Sequence, residues 1–113
     1  MAMPAGVEAE AEAFYAGLLG LERVSKPDAL AGRGGAWFRG NGVEVHLGVE
    51  RDFRPARKAH PAFVVVGLDQ LRKRLQAAGV ELDEQPQLEG LRRFHAFDPF
   101  GNRLEFLEPV GDG

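Results

Sequence analysis

One pattern is written twice along this chain. Val7, Ala11, Phe14, Leu18 and Leu21 recur at helical spacing, and the run closes on Leu19-Gly20-Leu21-Glu22. Leu68, Leu71, Leu75 and Ala78 recur in the same way and close on Ala78-Gly79-Val80-Glu81. Apolar residues three and four apart line one face of a helix. A glycine just beyond supplies the left-handed residue that ends it. Each predicted helix is followed by β-rich runs. The first half gives Ala36-Trp37-Phe38, a Gly40-Asn41-Gly42 turn and Val43-Glu44-Val45-His46-Leu47. The second gives Arg93-Phe94-His95-Ala96-Phe97, a Gly101-Asn102 turn and Leu104-Glu105-Phe106-Leu107. Turn residues between such runs predict hairpins, and the repetition limits the fold to two copies of one supersecondary unit.

The second half also opens with a strand, His60 to Val66, so its unit is a strand, a helix and about three further strands. Gly67 or Asp69 starts its helix. Matching the two Gly-Asn turns sets Val43-Glu44-Val45 against Leu104-Glu105-Phe106. Aligning Gly20 with Gly79 puts the counterpart of His60 at or before Met1. The opening strand of the first unit is therefore expected to be largely missing, with Met1-Ala2-Met3 as its remnant. Residues 50–59 are charged, carry Pro55 and lack periodicity, and read as a linker between modules of about 1–49 and 60–109. The glycine-rich stretch from Ser25 to Gly35 reads as a loop.

At 113 residues the chain is long enough for one domain with a real core and too short for two independent ones. A net charge of −3 favours neither nucleic acid nor an anionic membrane as partner. There is no cysteine, which removes disulfides, thiolate metal sites and a cysteine nucleophile, and makes the cytoplasm the default location. No apolar run approaches the length of a membrane span. No phosphate loop, dinucleotide fingerprint or Ser-His-Asp pattern appears.

The chemistry concentrates near the end, in Asp98-Pro99-Phe100-Gly101-Asn102-Arg103-Leu104-Glu105-Phe106-Leu107-Glu108. A turn signal drops directly into an apolar strand that carries a carboxylate, Glu105, in its middle. Strands alternate their faces, so Glu105 shares a face with Arg103 and Leu107. A carboxylate among apolar residues needs a strong partner. An arginine (Arg92, Arg93 or Arg103), a hydrogen-bond donor and a metal ion all qualify.

Three segments together resemble the vicinal oxygen chelate superfamily, which holds glyoxalase I, bleomycin- and fosfomycin-resistance proteins and extradiol dioxygenases. They are Ala13-Phe14-Tyr15-Ala16-Gly17-Leu18-Leu19-Gly20-Leu21, His60-Pro61-Ala62-Phe63, and Asp98 through Phe106. The resemblance implies an α+β fold of paired βαβββ modules forming a half-barrel cleft. It implies a divalent metal held by residues of the first and last strands of the units. His60 and Glu105 match two such ligands, and the repeat offers Glu44 on the first unit, with His46 as its competitor. Imidazole with carboxylate suits Zn, Ni, Mn, Fe or Co. The remaining ligand of the family pattern has no counterpart here, since Met1, Ala2 and Met3 are not credible ligands for such an ion.

Two functions are therefore expected. One is a metal-dependent glyoxalase-type lyase, isomerase or dioxygenase that chelates a small oxygenated substrate, with Glu44 or Glu105 doubling as base. The other is a non-catalytic small-molecule or drug-binding protein of the same fold. A homodimer is expected in either case, because an incomplete sheet leaves backbone unpaired. His95, beside Phe94 and Phe97, reads as a packed or rim histidine. Trp37, Phe38, Phe94 and Phe97 read as core, and Arg51, Arg54, Arg57 and Lys58 as a solvated linker face rather than an anion site.

Overall fold

The two helices end where their spacing predicts, with Gly20 and Gly79 in left-handed geometry at φ of 80° and 77°. The computed structural model describes residues 1–110. Contacts divide the chain into two units, residues 1–55 and the part beginning at Ala56, a boundary inside the charged linker.

The first unit runs β1 (Ala2–Met3), α1 (Glu8–Glu12), β2 (Glu22–Val24), β3 (Gly35–Gly40) and β4 (Val43–Val49). Its sheet has the order β1-β4-β3-β2, with β1 parallel to β4 and the other pairs antiparallel. α1 runs directly into a π-helical stretch, Ala13–Leu18, a rare widening of the helix that occurs mostly as a single turn inside an α-helix. That stretch buries Phe14 and Tyr15, and Tyr15 stacks on Phe38 with ring centres 5.5 Å apart. Met3, Ala36, Phe38, Val45 and Leu47 are buried with them. Asn41 (φ 50°) and Gly42 (φ 79°) form the two-residue turn between β3 and β4, where both central residues of a hairpin turn need positive φ.

The second unit runs β5 (Ala62–Val64), α2 (Leu68–Ala77), β6 (Leu82–Asp83), β7 (Leu91–Phe97) and β8 (Arg103–Pro109). The sheet order is β5-β8-β7-β6, again with the first pair parallel. Leu68, Leu71 and Leu75 of α2 are buried, as are Phe94, Ala96, Leu104 and Phe106 of the sheet. Gly67 is the residue that starts α2. The cap comes from far along the chain: the Glu108 carboxylate accepts from the backbone N–H of Gly67 (2.8 Å) and Leu68 (3.2 Å). A carboxylate there satisfies two free donors at the positive end of the helix dipole.

The register between the halves differs from the one the turns suggest. The turn after β3 has two residues, whereas residues 98–102 join β7 to β8. Counted from the parallel strands, the Gly48 N–H donates to Met1 O as the Glu105 N–H donates to Pro61 O. Gly48 pairs with Ala2 and Gly35; Glu105 pairs with Ala62 and His95. Gly48 thus holds the place of Glu105, and Gly35 that of His95. Glu44 lies four residues before Gly48 on β4, nearer the turn, because the shorter turn lets that hairpin run on.

The Asp98–Asn102 loop is a closed set of bonds. Asp98 Oδ1 accepts from the N–H of Phe100 and of Asn102, both at 2.9 Å, and Asp98 Oδ2 accepts from Asn102 Nδ2 at 3.0 Å. Asn102, fully buried, then accepts the Ala56 N–H on Oδ1 at 2.9 Å, while Arg103 N–H donates to Ala56 O. The loop therefore straps down the segment that leads into His60. Asn102→Ala leaves buried donors and acceptors unpaired, and urea unfolding should show a loss of about 1–3 kcal/mol.

Candidate functional site

β8 lies between β5 and β7, so Glu105 faces Ala62 on one side and His95 on the other. Alternation along β7 puts Arg93 and His95 on the same face as Glu105. His60 stands just before β5, at the end of the strapped segment. Glu105 is only 8% exposed. Its Oε1 is 2.8 Å from His60 Nε2 and 3.4 Å from His95 Nε2, and its Oε2 accepts from Arg93 Nη1 at 3.2 Å. Burial pushes the Glu105 pKa up, but the hydrogen bonds from His60 and Arg93 outweigh it and hold the carboxyl below its usual value. Glu105 is therefore an anion at neutral pH.

His60 and His95 are fixed from behind by opposite kinds of partner. His60 Nδ1 is 2.9 Å from the Lys58 carbonyl, which only accepts, so Nδ1 carries a proton. His95 Nδ1 is 2.9 Å from Arg103 Nη1, which only donates. Arg103 is itself held by Asp83 Oδ2 at 2.9 Å and by the Arg57 carbonyl on Nε at 2.6 Å. Its guanidinium also lies over the Phe97 ring. Burial, above all, pushes the His95 pKa down; His60, Arg103 and Arg93 add to this and Glu105 opposes it.

Among the described residues, His60, His95 and Glu105 are the one group of three His, Asp or Glu side chains with ligand atoms within 4.8 Å of one another. Two N or O ligands bonded to one ion at about 2.0–2.2 Å stand about 2.8–3.1 Å apart at the right angle of an octahedral site, and about 3.3–3.6 Å apart at the tetrahedral angle. The 2.8 Å between His60 Nε2 and Glu105 Oε1 fits the octahedral spacing. The donor set, one imidazole and one carboxylate, suits a borderline divalent ion.

The structure places the other predicted residues in the first unit. Glu44 and His46 project from the same face of β4, about half exposed, with Glu44 Oε2 3.4 Å from His46 Nε2. The His46 ring stacks on Trp37, centres 3.5 Å apart and planes 2° from parallel. Trp37 is thus a half-buried stacking partner rather than core. Glu44, Trp37, Arg39 and Arg23 line an open cavity of about 610 Å³. Arg92, one candidate partner of Glu105, pairs with Asp69 instead, and Arg103 pairs with Asp83. Of the linker cations, Arg57 packs over Phe97.

Sequence reasoning set His95 aside, and missed Asp83 entirely. The signal for His95 was available: pairing β7 with β8 around their loop sets His95 opposite Glu105. Asp83 comes from β6, whose pairing with β7 only the tertiary fold reveals.

The model of the Glyoxalase/Bleomycin resistance protein/Dioxygenase superfamily matches residues 3–106, and the chain belongs to that superfamily. Among solved structures, a glyoxalase family protein from Bacillus anthracis is 44% identical. The alignment covers 96% of this chain and 89% of that one, with a TM-score of 0.91. A glyoxalase/dioxygenase from Nostoc punctiforme shares 19% identity over 98% of this chain and 89% of that one, at a TM-score of 0.77. A Glu-to-Gln mutant of the fosfomycin resistance protein FosX of Listeria monocytogenes, complexed with Mn(II) and 1S,2S-dihydroxypropylphosphonic acid, shares 18% over 96% of this chain and 88% of that one, also at 0.77. At such identities the last two show the fold alone. No curated protein matches the chain. Among the described residues, no helix is long and apolar enough to cross a membrane.

The two shifted groups make stability fall with acid. Both pKa values are lower folded than unfolded, so the unfolded chain binds more protons and acid favours it. The His95 contribution is complete above its ordinary pKa of 6.5 and is lost as pH falls through its lower folded value. The Glu105 contribution is lost in the same way below 4.5. Urea unfolding across pH should show the loss in metal-free protein, and Glu105→Gln should flatten the lower limb.

Proposed function

We propose that this chain is a metal-dependent glyoxalase-type enzyme, a lyase, isomerase or dioxygenase, acting on a small oxygenated substrate. His60 and Glu105 hold the divalent ion, which is Zn, Ni, Mn, Fe or Co. The observation that carries this reading is the 2.8 Å approach of His60 Nε2 to Glu105 Oε1, with His60 Nδ1 bonded to the Lys58 carbonyl. A ligating histidine needs its other nitrogen held in this way, since that bond sets the tautomer and aims the free lone pair. The Mn(II) bound to FosX lends the reading support at the level of the superfamily.

Bound there, the ion supplies Lewis-acid polarisation of a substrate oxygen. The residues of the chain do the rest. Arg93 holds Oε2 of Glu105, leaving Oε1 directed at His60. The strap from Asn102 to Ala56 fixes the approach of the His60 segment. From the first unit, Glu44 contributes as base or ligand and His46 as ligand, and the working form is a homodimer.

Metal content after dialysis, read by elemental mass spectrometry, tests the reading. Near-stoichiometric metal is expected in the parent, with Glu105→Gln and His60→Gln weakening affinity at least tenfold to a hundredfold. Parent-level metal in Glu105→Gln rejects the assignment. Glu44→Gln then divides the roles: retained metal with lost turnover makes Glu44 the base, and lost metal makes it a ligand.

One observation favours the second reading, a binding protein without chemistry. His60 and Arg93 already pair with both oxygens of Glu105, so the carboxylate is satisfied by protein alone. Under that reading, ligand-induced stabilisation survives a chelator.

A further inference from the structure

His95 lies in the cluster with His60 and Glu105, yet its proton is placed differently. Arg103 Nη1 reaches His95 Nδ1 at 2.9 Å and, as a permanent donor, requires that nitrogen to accept. Arg103 cannot turn away cheaply, because its guanidinium also serves Asp83 and the Arg57 carbonyl. A neutral His95 therefore carries its proton on Nε2. That nitrogen is 3.4 Å from Glu105 Oε1 and 3.4 Å from Arg93 Nη1. An N–H···O contact of that length is weak, so most of the donor strength is unspent. On His60 it is Nδ1 that donates, to the Lys58 carbonyl, and Nε2 that lies against Glu105 Oε1, at 2.8 Å.

We propose that His95 is the fixed hydrogen-bond donor of this site rather than one of its metal ligands: Arg103 holds its Nδ1, and the Nε2–H is left to bind an anionic oxygen of the substrate beside Glu105. This inference rests on the reading of His60 and Glu105 as ligands. Arg93, with its Nη1 next to His95 Nε2, is the second donor at that point. Charge balance within the unit gives the substrate class. Arg93 and Arg103 are matched by Glu105 and Asp83. A divalent ion would add two uncompensated positive charges in a largely buried place, which a neutral ligand would leave unbalanced. A substrate that presents negatively charged oxygen, such as a carboxylate or an ionised α-hydroxy acid, is the chemistry that fits.

Long-range ¹H–¹⁵N correlation of the imidazoles in the full chain tests the placement directly, metal-free and then with Zn(II). His95 should be the Nε2–H tautomer in both states. His60 Nδ1 should carry a proton in both states, with Zn(II) shifting the Nε2 resonance. A protonated Nδ1 on His95, or a Zn(II)-dependent shift of His95 Nε2 matching that of His60, overturns the proposal. The metal-free spectrum decides the tautomer even if no ion binds, in which case the metal assignment fails separately.

If Zn(II) binds, titration of the loaded protein with oxalate tests the donor role. His95→Leu should weaken oxalate about tenfold, the scale of a lost charge-assisted hydrogen bond, with Zn(II) affinity within about threefold of the parent. His95→Gln, which restores an N–H donor, should recover most of the oxalate affinity. Unchanged oxalate affinity in His95→Leu, or loss of Zn(II) equal to that of His60→Gln, overturns the proposal. Arg103→Met frees Nδ1, so His95 should then populate both tautomers; a spectrum unchanged from the parent also counts against it.

Discussion

A buried carboxylate at the centre of a strand sets the terms for the second unit. Glu105 is buried on the face of β8 opposite Leu104 and Phe106, where an uncompensated charge costs several kcal/mol. The unit meets that cost with groups from separate elements: His60 before β5, Arg93 and His95 on β7. The two histidines are anchored in turn. Lys58 holds His60 and Arg103 holds His95, while Asp83 and the Arg57 carbonyl hold Arg103. A network of this kind tolerates no missing member, since the low dielectric that strengthens each bond also penalises each vacancy.

The Asp98–Asn102 motif, the most specific segment of the sequence, has a supporting role in this arrangement. None of its side chains belongs to the three-residue cluster. Asp98 closes the loop on itself, and Asn102 passes the constraint to Ala56, two residues before Lys58. The motif belongs to the site because it fixes the backbone from which His60 and its Lys58 partner project.

Much of this was legible in the sequence. The helices announced themselves through apolar spacing and the glycines at 20 and 79, and the hairpins through Asn41-Gly42 and the Gly101-Asn102 turn. Glu105 stood out because a charge in an apolar strand demands an explanation. What failed was register. Matching the turns set Glu44 against Glu105, but one turn has two residues and the other five, so the correspondence slips along the strand. A sequence records which residues are in a turn more plainly than how many pairs the ladder makes beyond it. The Glu108 cap on α2 and the Asp83–Arg103 pair were hidden for a different reason. Both join segments about 20 to 40 residues apart, with no local pattern linking the partners.

The first unit carries glycine at both places where the second carries its polar pair, and the two glycines are not alike. Gly35 has φ of 102°, and a Cβ built there would lie 2.1 Å from the Leu47 carbonyl oxygen. Gly48 would bring a Cβ no closer than 4.0 Å to Met1 O. A carboxylate is thus one substitution away in the first unit, whereas a histidine facing it would require the backbone of β3 to be rebuilt. The duplication is reversible on one strand and locked on its neighbour. Descendants of this chain can vary what the first unit presents from β4 at position 48, while position 35 on β3 stays tied to glycine.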